Sequence, residues 1–335
     1  MLTYTIRRLV LAVPTLLFIS LVIFLLLELA PGDPMANVPL TVPPDVKEKM
    51  RIALGLGEPT HIRFGKWLWQ FFVVEPMVLS DHILGTTLAE GQQRVLSWQF
   101  RSPVMDVIVQ RMPQTLWVVG MSYVVGILIA LPIGIYSAYR QYSVFDQVGT
   151  FITMVGYSVP PFFSGVLVIV IFSVHLGWLP SIYDTTLRVT SWDTFVMQFK
   201  QMIMPVMVLA LQTTAQISRY MRASMLDNLG QDYVRTARAK GLGETTVVMV
   251  HVLRNSMIPV ITVIALGVPQ IFGGAIITEQ IFKVNGLGQL LITAIQANDL
   301  PMVQTVTFML AVLIVAFNII ADLLYAVLDP RIRYD

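Results

Sequence analysis

The chain has 335 residues, of which 56% are hydrophobic and only 13% charged, with a mean hydropathy of +0.72. A soluble domain carries about 25% charged residues, so this composition is that of a membrane protein. The absence of cysteine excludes disulfides, thiolate metal sites and cysteine nucleophiles; the scattered His61, His82, His175 and His251 make no spaced metal-ligand motif, and a net charge of +2 argues against a nucleic-acid-binding surface.

The first apolar run, residues 9–30, follows Arg7 and Arg8 and is long enough to cross the hydrocarbon core, which takes about 20 helical residues. A signal-peptide core is only about 7 to 15 residues, and the exit Glu28-Leu29-Ala30-Pro31 lacks small residues at both cleavage positions. The sequence therefore predicts an uncleaved first span, residues 1–30, with Glu28 as a snorkelling interfacial carboxylate.

Residues 31–113 carry eight basic and eight acidic side chains, the balance of a folded, water-exposed segment. Pro43-Pro44-Asp45 opens a predicted helix to Leu54, closed by Gly55. Ser102-Pro103 suits the N-cap and first turn of an amphipathic helix ending before Pro113. Trp67, Trp69, Phe71 and Phe72 read as an aromatic belt resting on headgroups. Two readings of this segment stay open, a cap over the helices and a docking or gating surface for an external partner.

Residues 114–328 hold five further apolar runs, at 116–138, 148–176, 202–217, 258–281 and 303–327. The 116–138 run has small residues at every fourth position, Ser122, Gly126, Ala130, Gly134 and Ala138, a stripe along which another backbone can approach closely. The 202–217 run is the weakest: it is short, carries Gln212, Thr213, Thr214 and Gln216, and needs a continuation through Arg219. Prolines at 14, 132, 160, 161, 205, 259 and 269 each remove a backbone hydrogen bond from a span or its end. Pro160-Pro161 is the best candidate for a kink beside a cavity, with Pro132 and Pro269 as further kink or pathway positions.

Asp322 lies near one end of the last run and Glu279 near one end of the fifth, which leaves no mid-membrane carboxylate for proton or sodium coupling. Neither G-x-x-x-x-G-K-[ST] nor H-E-x-x-H occurs. In the short flanks, Arg7, Arg8, Arg140, Arg219, Arg222, Arg235, Arg238, Lys240, Arg254, Arg331 and Arg333 fall on one side, against Arg188, Lys200 and Lys283 on the other. The positive-inside bias predicts cytoplasmic termini, a cytoplasmic tail at 329–335, and residues 31–113 outside.

The loop at 218–257 reads DYVRTARAKGLGETTVVMVHVLRNSMIP from Asp232 to Pro259. Asp232 is expected to cap a short helix to Lys240, Gly241 to end it in the left-handed conformation, and Glu244 to start a second helix toward Asn255. The small residues Thr236, Ala237 and Ala239 would let this backbone lie close to a partner groove. Taken alone, Arg235, Arg238 and Lys240 against Glu244 are positive-inside charge on a solvated loop.

This stretch resembles the cytoplasmic EAA loop of ABC-importer permeases, particularly the B-type subunit of the dipeptide, oligopeptide and nickel family. The general pattern of Glu-Ala-Ala, three residues, Gly, nine residues and Ile-x-Leu-Pro falls on Arg235, Thr236, Ala237, Gly241, His251, Leu253 and Arg254, with literal matches at Ala237, Gly241 and Leu253. The departures resemble the peptide branch, in TARAKGL at 236–242 and LRN at 253–255. The opening at residues 4–8, Ala30-Pro31-Gly32-Asp33, Arg111-Met112-Pro113-Gln114-Thr115, Glu279 with Phe282 and Gly286-Leu287-Gly288, and Asp329-Pro330-Arg331 also look like that family.

The resemblance implies an all-α polytopic protein of the type I ABC-importer permease fold with six transmembrane helices in the bacterial inner membrane. It implies a coupling loop to ATPases built from Tyr233, Arg235, Thr236, Ala237, Arg238, Ala239, Lys240, Gly241, Leu242 and Glu244, and outer-side positions at Glu279, Phe282, Gly286 and Gly288. No catalytic residue, metal or cofactor is expected on this chain; ATP and Mg²⁺ would be bound by two partner ABC ATPases. A homologous second permease and an extracytoplasmic substrate-binding protein complete the implied assembly, which works by alternating access. The implied cargo is di- or oligopeptides, with nickel chelates or oligosaccharides as alternatives. An ion-coupled secondary transporter is the alternative of a different class.

Overall fold

The structure, a computed structural model, describes residues 2–29, 43–45, 48 and 57–328. Of the sequence features above, Ala30-Pro31-Gly32-Asp33, most of the helix expected over 43–54, Gly55 and the 329–335 tail lie outside the described residues. Every regular element among the described residues is helical. In order they are α1 (Leu2–Glu28), α2 (Thr60–Trp69), a π turn (Gln70–Val74), α3 (Glu75–Leu84), α4 (Val104–Tyr139), α5 (Val144–Ser158), α6 (Pro161–Val168), a second π turn (Ile169–His175), α7 (Trp192–Leu229), α8 (Asp232–Ala239), α9 (Glu244–Thr246), a third π turn (Val247–Val252), α10 (Leu253–Phe282), α11 (Leu287–Gln296) and α12 (Leu300–Leu328).

Among the described residues, five helical stretches are long and apolar enough to cross a bilayer: α1, α4, α7, α9 through α10, and α12. The α5–α6 pair makes a sixth when its bent halves count as one span. The bend is 108° and falls at Pro160-Pro161, as the sequence leads one to expect. Pro132 and Pro269 behave differently: each lies inside a helix that continues on both sides of it.

Three expected boundaries move. The amphipathic helix before Pro113 and the second span are one helix, α4, of 36 residues; at 1.5 Å per residue it is roughly 54 Å long, well beyond the ~30 Å hydrocarbon core. The weak 202–217 run is the centre of the 38-residue α7, opened by a capping box in which Ser191 and Thr194 satisfy each other's backbone N–H groups. Its polar side chains are therefore carried by a helix with length to spare. The helix starting at Glu244 does not stop near Asn255 but continues through Pro259 to Phe282.

The chain divides into two compact units, residues 1–10, 114–289 and 313–335 in one and residues 11–113 and 290–312 in the other. In the second unit Trp67 is 5% exposed and stacks on Phe64 and Phe71, with Phe308 edge-on to Trp67 and Phe71. Of the expected aromatic belt, Trp67 is thus core and Phe71 half-buried, while Trp69 and Phe72 stand exposed, because successive faces of α2 and the π turn after it turn alternately inward and outward. Glu28 accepts from Arg63 at 2.9 and 3.0 Å, so it is an ion-pair partner rather than a free snorkelling group. Arg94 reaches two carboxylates at once, the buried Glu75 and Asp106. Buried Asp299 accepts from Ser97 Oγ and the Gln99 N–H, and its other oxygen caps Met302 N–H in the first turn of α12.

In the first unit the small-residue stripe of α4 meets α7. A Cβ on Gly126 would come within 2.8 Å of Thr213, and one on Gly134 within 2.6 Å of the Met221 side chain and 2.7 Å of the Ser218 carbonyl. Thr214 Oγ1 donates to the Gly126 carbonyl at 3.2 Å across the same seam. On another face of α7, α5 packs antiparallel, with Gly156 against Leu211. Arg8 and Asp322 pair at 3.0 Å.

Candidate functional site

The 218–257 loop is a folded block. Val234 and Ala237 on α8 are buried in one apolar cluster with Ala130 and Ala138 of α4, Ile217, Met221 and Met225 of α7, and Val247, Val248 and Val252 of the third π turn. The spacing of three along a helix puts Val234 and Ala237 on one face, so the rest of α8 faces out. Tyr233, Arg235, Thr236, Arg238, Ala239 and Lys240 are exposed, as are Leu242 and Gly241. Of the three small residues expected to meet a partner groove, Thr236 and Ala239 are available, whereas Ala237 packs inside its own chain.

Asp232 is not the N-cap. Gln231 holds that position without a side-chain capping bond, its amide donating instead to the Asp227 carbonyl, and Asp232 is the first helical residue, its carboxylate 3.4 Å from Arg235. Gly241 has φ +77°, with its N–H bonded to the Arg238 carbonyl, and open space where a Cβ would stand. With no crowding at the site, the left-handed backbone is what favours glycine here. Across the elbow Arg238 grips Glu244 with two bonds, at 3.1 Å from Nε and 2.6 Å from Nη2. That hydrogen bond to Glu244 raises the guanidinium pKa above its ordinary value.

The expected outer-side residues also converge. Glu279 is 0% exposed; its Oε1 accepts from Thr115 Oγ1 at 2.7 Å and its Oε2 from the N–H of Gly288 at 2.7 Å and of Gln289 at 3.2 Å. Thr115 in turn accepts the Leu287 N–H at 2.7 Å. The carboxylate thus caps the first turn of α11 from the end of α10. A Cβ on Gly286 would collide with the Glu279 carboxyl, and one on Gly288 with the Ile276 backbone, which explains why both positions are glycine. Phe282 is buried beside them and its carbonyl accepts the Tyr183 N–H at 2.9 Å. Thr115 was visible only as part of a sequence motif; its bond to Glu279, 164 residues away, has no local signature.

Between α4, α5, α6 and α7 lies a cavity of about 1610 Å³. Its walls are apolar, with Trp117, Ile129, Val148, Phe172 and Phe199 among them; the polar side chains are Gln114, Thr153, Ser164, Gln198 and Thr214, and no charged residue lines it. Pro160-Pro161 turn the chain beside this space, between Thr153 and Ser164. Pro132 and Pro269 are not among its walls.

Family models describing the binding-protein-dependent transport system inner membrane component match residues 130–334, and its N-terminal part matches residues 1–119. The chain is 38% identical to the oligopeptide transport system permease protein AppB of Bacillus subtilis, covering 100% of both chains. It is 35% identical to a putative peptide transport system permease protein of Brucella abortus (98% of both chains) and 34% to the glutathione transport system permease protein GsiC of Salmonella choleraesuis (100% of both). Among solved structures, a chain of the methionine ABC transporter MetNI in an inward-facing conformation superposes with a TM-score of 0.55 at 18% identity, covering 68% of this chain and 99% of that one. A chain of an amino acid ABC transporter gives 0.52 at 13% identity, covering 66% and 94%. These likenesses establish the type I ABC-importer permease fold.

Proposed function

We propose that this chain, which belongs to the family of binding-protein-dependent transport system inner membrane components, is the membrane-spanning permease subunit of a peptide ABC importer. The observation that carries this reading is the likeness to an oligopeptide permease over the full length of both chains. The protein is a multi-pass transport component rather than a catalytic subunit. Two partner ATPases bind ATP and Mg²⁺ and seat on the exposed face of α8 and its glycine elbow. A homologous second permease completes the path, and an extracytoplasmic binding protein delivers the peptide. ATP-driven closure of the ATPases moves the loop block and switches the pair between inward- and outward-facing states. Lysine and arginine bias supports cytoplasmic termini and a cytoplasmic α8 in the inner membrane.

The test is uptake of a labelled tetra-alanine peptide into proteoliposomes holding the complete complex, with ATP on the ATPase side and binding protein on the other. ATP-dependent uptake competed by unlabelled peptide is expected. Uptake of a nickel–histidine chelate or maltotriose in its place would reassign the cargo, and gradient-driven uptake by this chain without ATPases would overturn the reading. Orientation is read by thiol labelling in the cysteine-free background: an impermeant reagent added outside intact cells should modify Thr185→Cys and spare Ala239→Cys.

A further inference from the structure

One helix, α7, carries both the loop block and a wall of the cavity. Its last cavity-lining residue is Ala215 and its last helical residue Leu229; Arg222 lies between them. Arg222 donates from Nε to Asp146 Oδ1 and from Nη2 to Asp146 Oδ2, both at 2.7 Å, a two-pronged pair that fixes direction as well as distance. The Asp146 side chain is only 4% exposed, and its Oδ2 also accepts the Tyr142 N–H at 3.0 Å. The carboxylate is thereby locked to the start of α5, from which Val144, Phe145 and Val148 reach the cavity.

Two residues beyond Arg222, Ser224 Oγ donates to the Ser256 carbonyl at 2.8 Å, and the single Ser256 hydroxyl proton is shared between the Val252 carbonyl at 2.9 Å and the Ser224 carbonyl at 3.2 Å. That pair ties α7 to α10 at the foot of the loop block. The same stretch of α7 is thus bonded to the block on one side and to the cavity wall on the other. Apolar surfaces such as Gly156 against Leu211 resist separation but hold no particular direction of sliding. A bidentate ion pair of low exposure does, because any shift of α7 past α5 breaks two charge-assisted bonds and leaves a carboxylate poorly solvated.

We propose that Asp146 and Arg222 are positioning residues that carry displacement of the loop block into the α5 wall of the cavity. This rests on the reading of the chain as an ATP-driven permease. With the pair intact, movement of the end of α7 takes the first turn of α5 with it. Without the pair, α7 still follows the ATPases while α5 lags, so ATP is hydrolysed with little cargo moved.

The experiment compares Asp146→Asn, which keeps an acceptor for the Tyr142 N–H, Arg222→Lys, which keeps the charge but loses the fork, and the exchange variant Asp146→Arg/Arg222→Asp. Each is purified as the complete complex, reconstituted with its ATPases and binding protein, and read as tetra-alanine uptake per ATP hydrolysed. Both single variants should keep hydrolysis within about twofold of the unmodified complex while uptake per ATP falls about fivefold or more, a coupling loss of ordinary size. The exchange variant should recover most of that ratio. Unchanged uptake per ATP in both single variants would overturn the proposal. So would a parallel fall of uptake, hydrolysis and ATPase co-purification in all three, which is the signature of a purely structural pair. An unmodified complex whose ATP hydrolysis ignores loaded binding protein would instead remove the functional reading and the proposal with it.

Discussion

Two turns in this protein are built to the same plan and put to opposite uses. The elbow at 240–244 and the turn at 283–287 each follow a helix, each pass through a left-handed residue (Gly241 at φ +77°, Lys283 at φ +57°), and each are braced by a glutamate. At the second turn Glu279 is fully buried, takes three donors from α4 and α11, and leaves no room for a Cβ at Gly286 or Gly288. At the elbow Arg238 and Glu244 are 44% and 41% exposed and Gly241 faces open space. A fully buried carboxylate that takes three donors makes a joint; one held at the surface by a single arginine, beside a glycine with open space around it, leaves a face for something else. The comparison predicts that damage at the joint is read in folding and damage at the elbow is read in coupling.

The largest effect is expected at the joint. Glu279→Ala would remove the acceptor of the Thr115 hydroxyl and of the Gly288 and Gln289 N–H groups, each loss costing up to about 1–3 kcal/mol, and should lower stability by about 3 kcal/mol or more, seen as a depressed midpoint of thermal unfolding in detergent. Normal unfolding of this variant would break the comparison. Gly134→Val extends it to the α4–α7 seam, where crowding against Met221 and the Ser218 carbonyl should cost about 1–3 kcal/mol by the same measurement.

Ala237→Trp comes next and separates two ideas about α8. Since Ala237 packs into the apolar cluster, the bulky ring should loosen the loop block itself, detected as faster proteolysis at 232–246 even without ATPases. Gly241→Val should cost only about 1–2 kcal/mol of backbone strain and leave the bundle folded, yet weaken ATPase co-purification or lower uptake per ATP. Wild-type values for both would return the elbow to a solvated connector. The smallest effect on stability is expected for Arg238→Gln: an exposed pair is worth at most about 1 kcal/mol, so any sizeable loss in ATPase coupling would sharpen the division between joint and elbow.

Much of this could be read in the chain itself. Hydropathy located the spans because a bilayer accepts only long apolar helices with satisfied backbones, and the four-residue small stripe of α4 announced a close neighbour. The Pro160-Pro161 break and the left-handed Gly241 were equally legible, since a missing N–H and a missing Cβ act on the backbone where they stand. Boundaries were less so. Pro113 looked like a stop and is a helix interior, the helix from Glu244 runs on past Asn255, and the polar 202–217 run concealed the long α7.

What the tertiary structure alone decided is partnership. Asp146 and Arg222 lie 76 residues apart and Thr115 and Glu279 164 apart, and nothing local distinguishes Arg222 from the other arginines of its flank. Trp67 and Ala237 were assigned outward from composition and turn inward because packing chooses which face of a short helix is covered. Hydropathy and backbone chemistry act over one or two helical turns, so sequence determines elements and their breaks; side-chain pairing depends on which helices meet, and that is settled only when the chain has closed on itself.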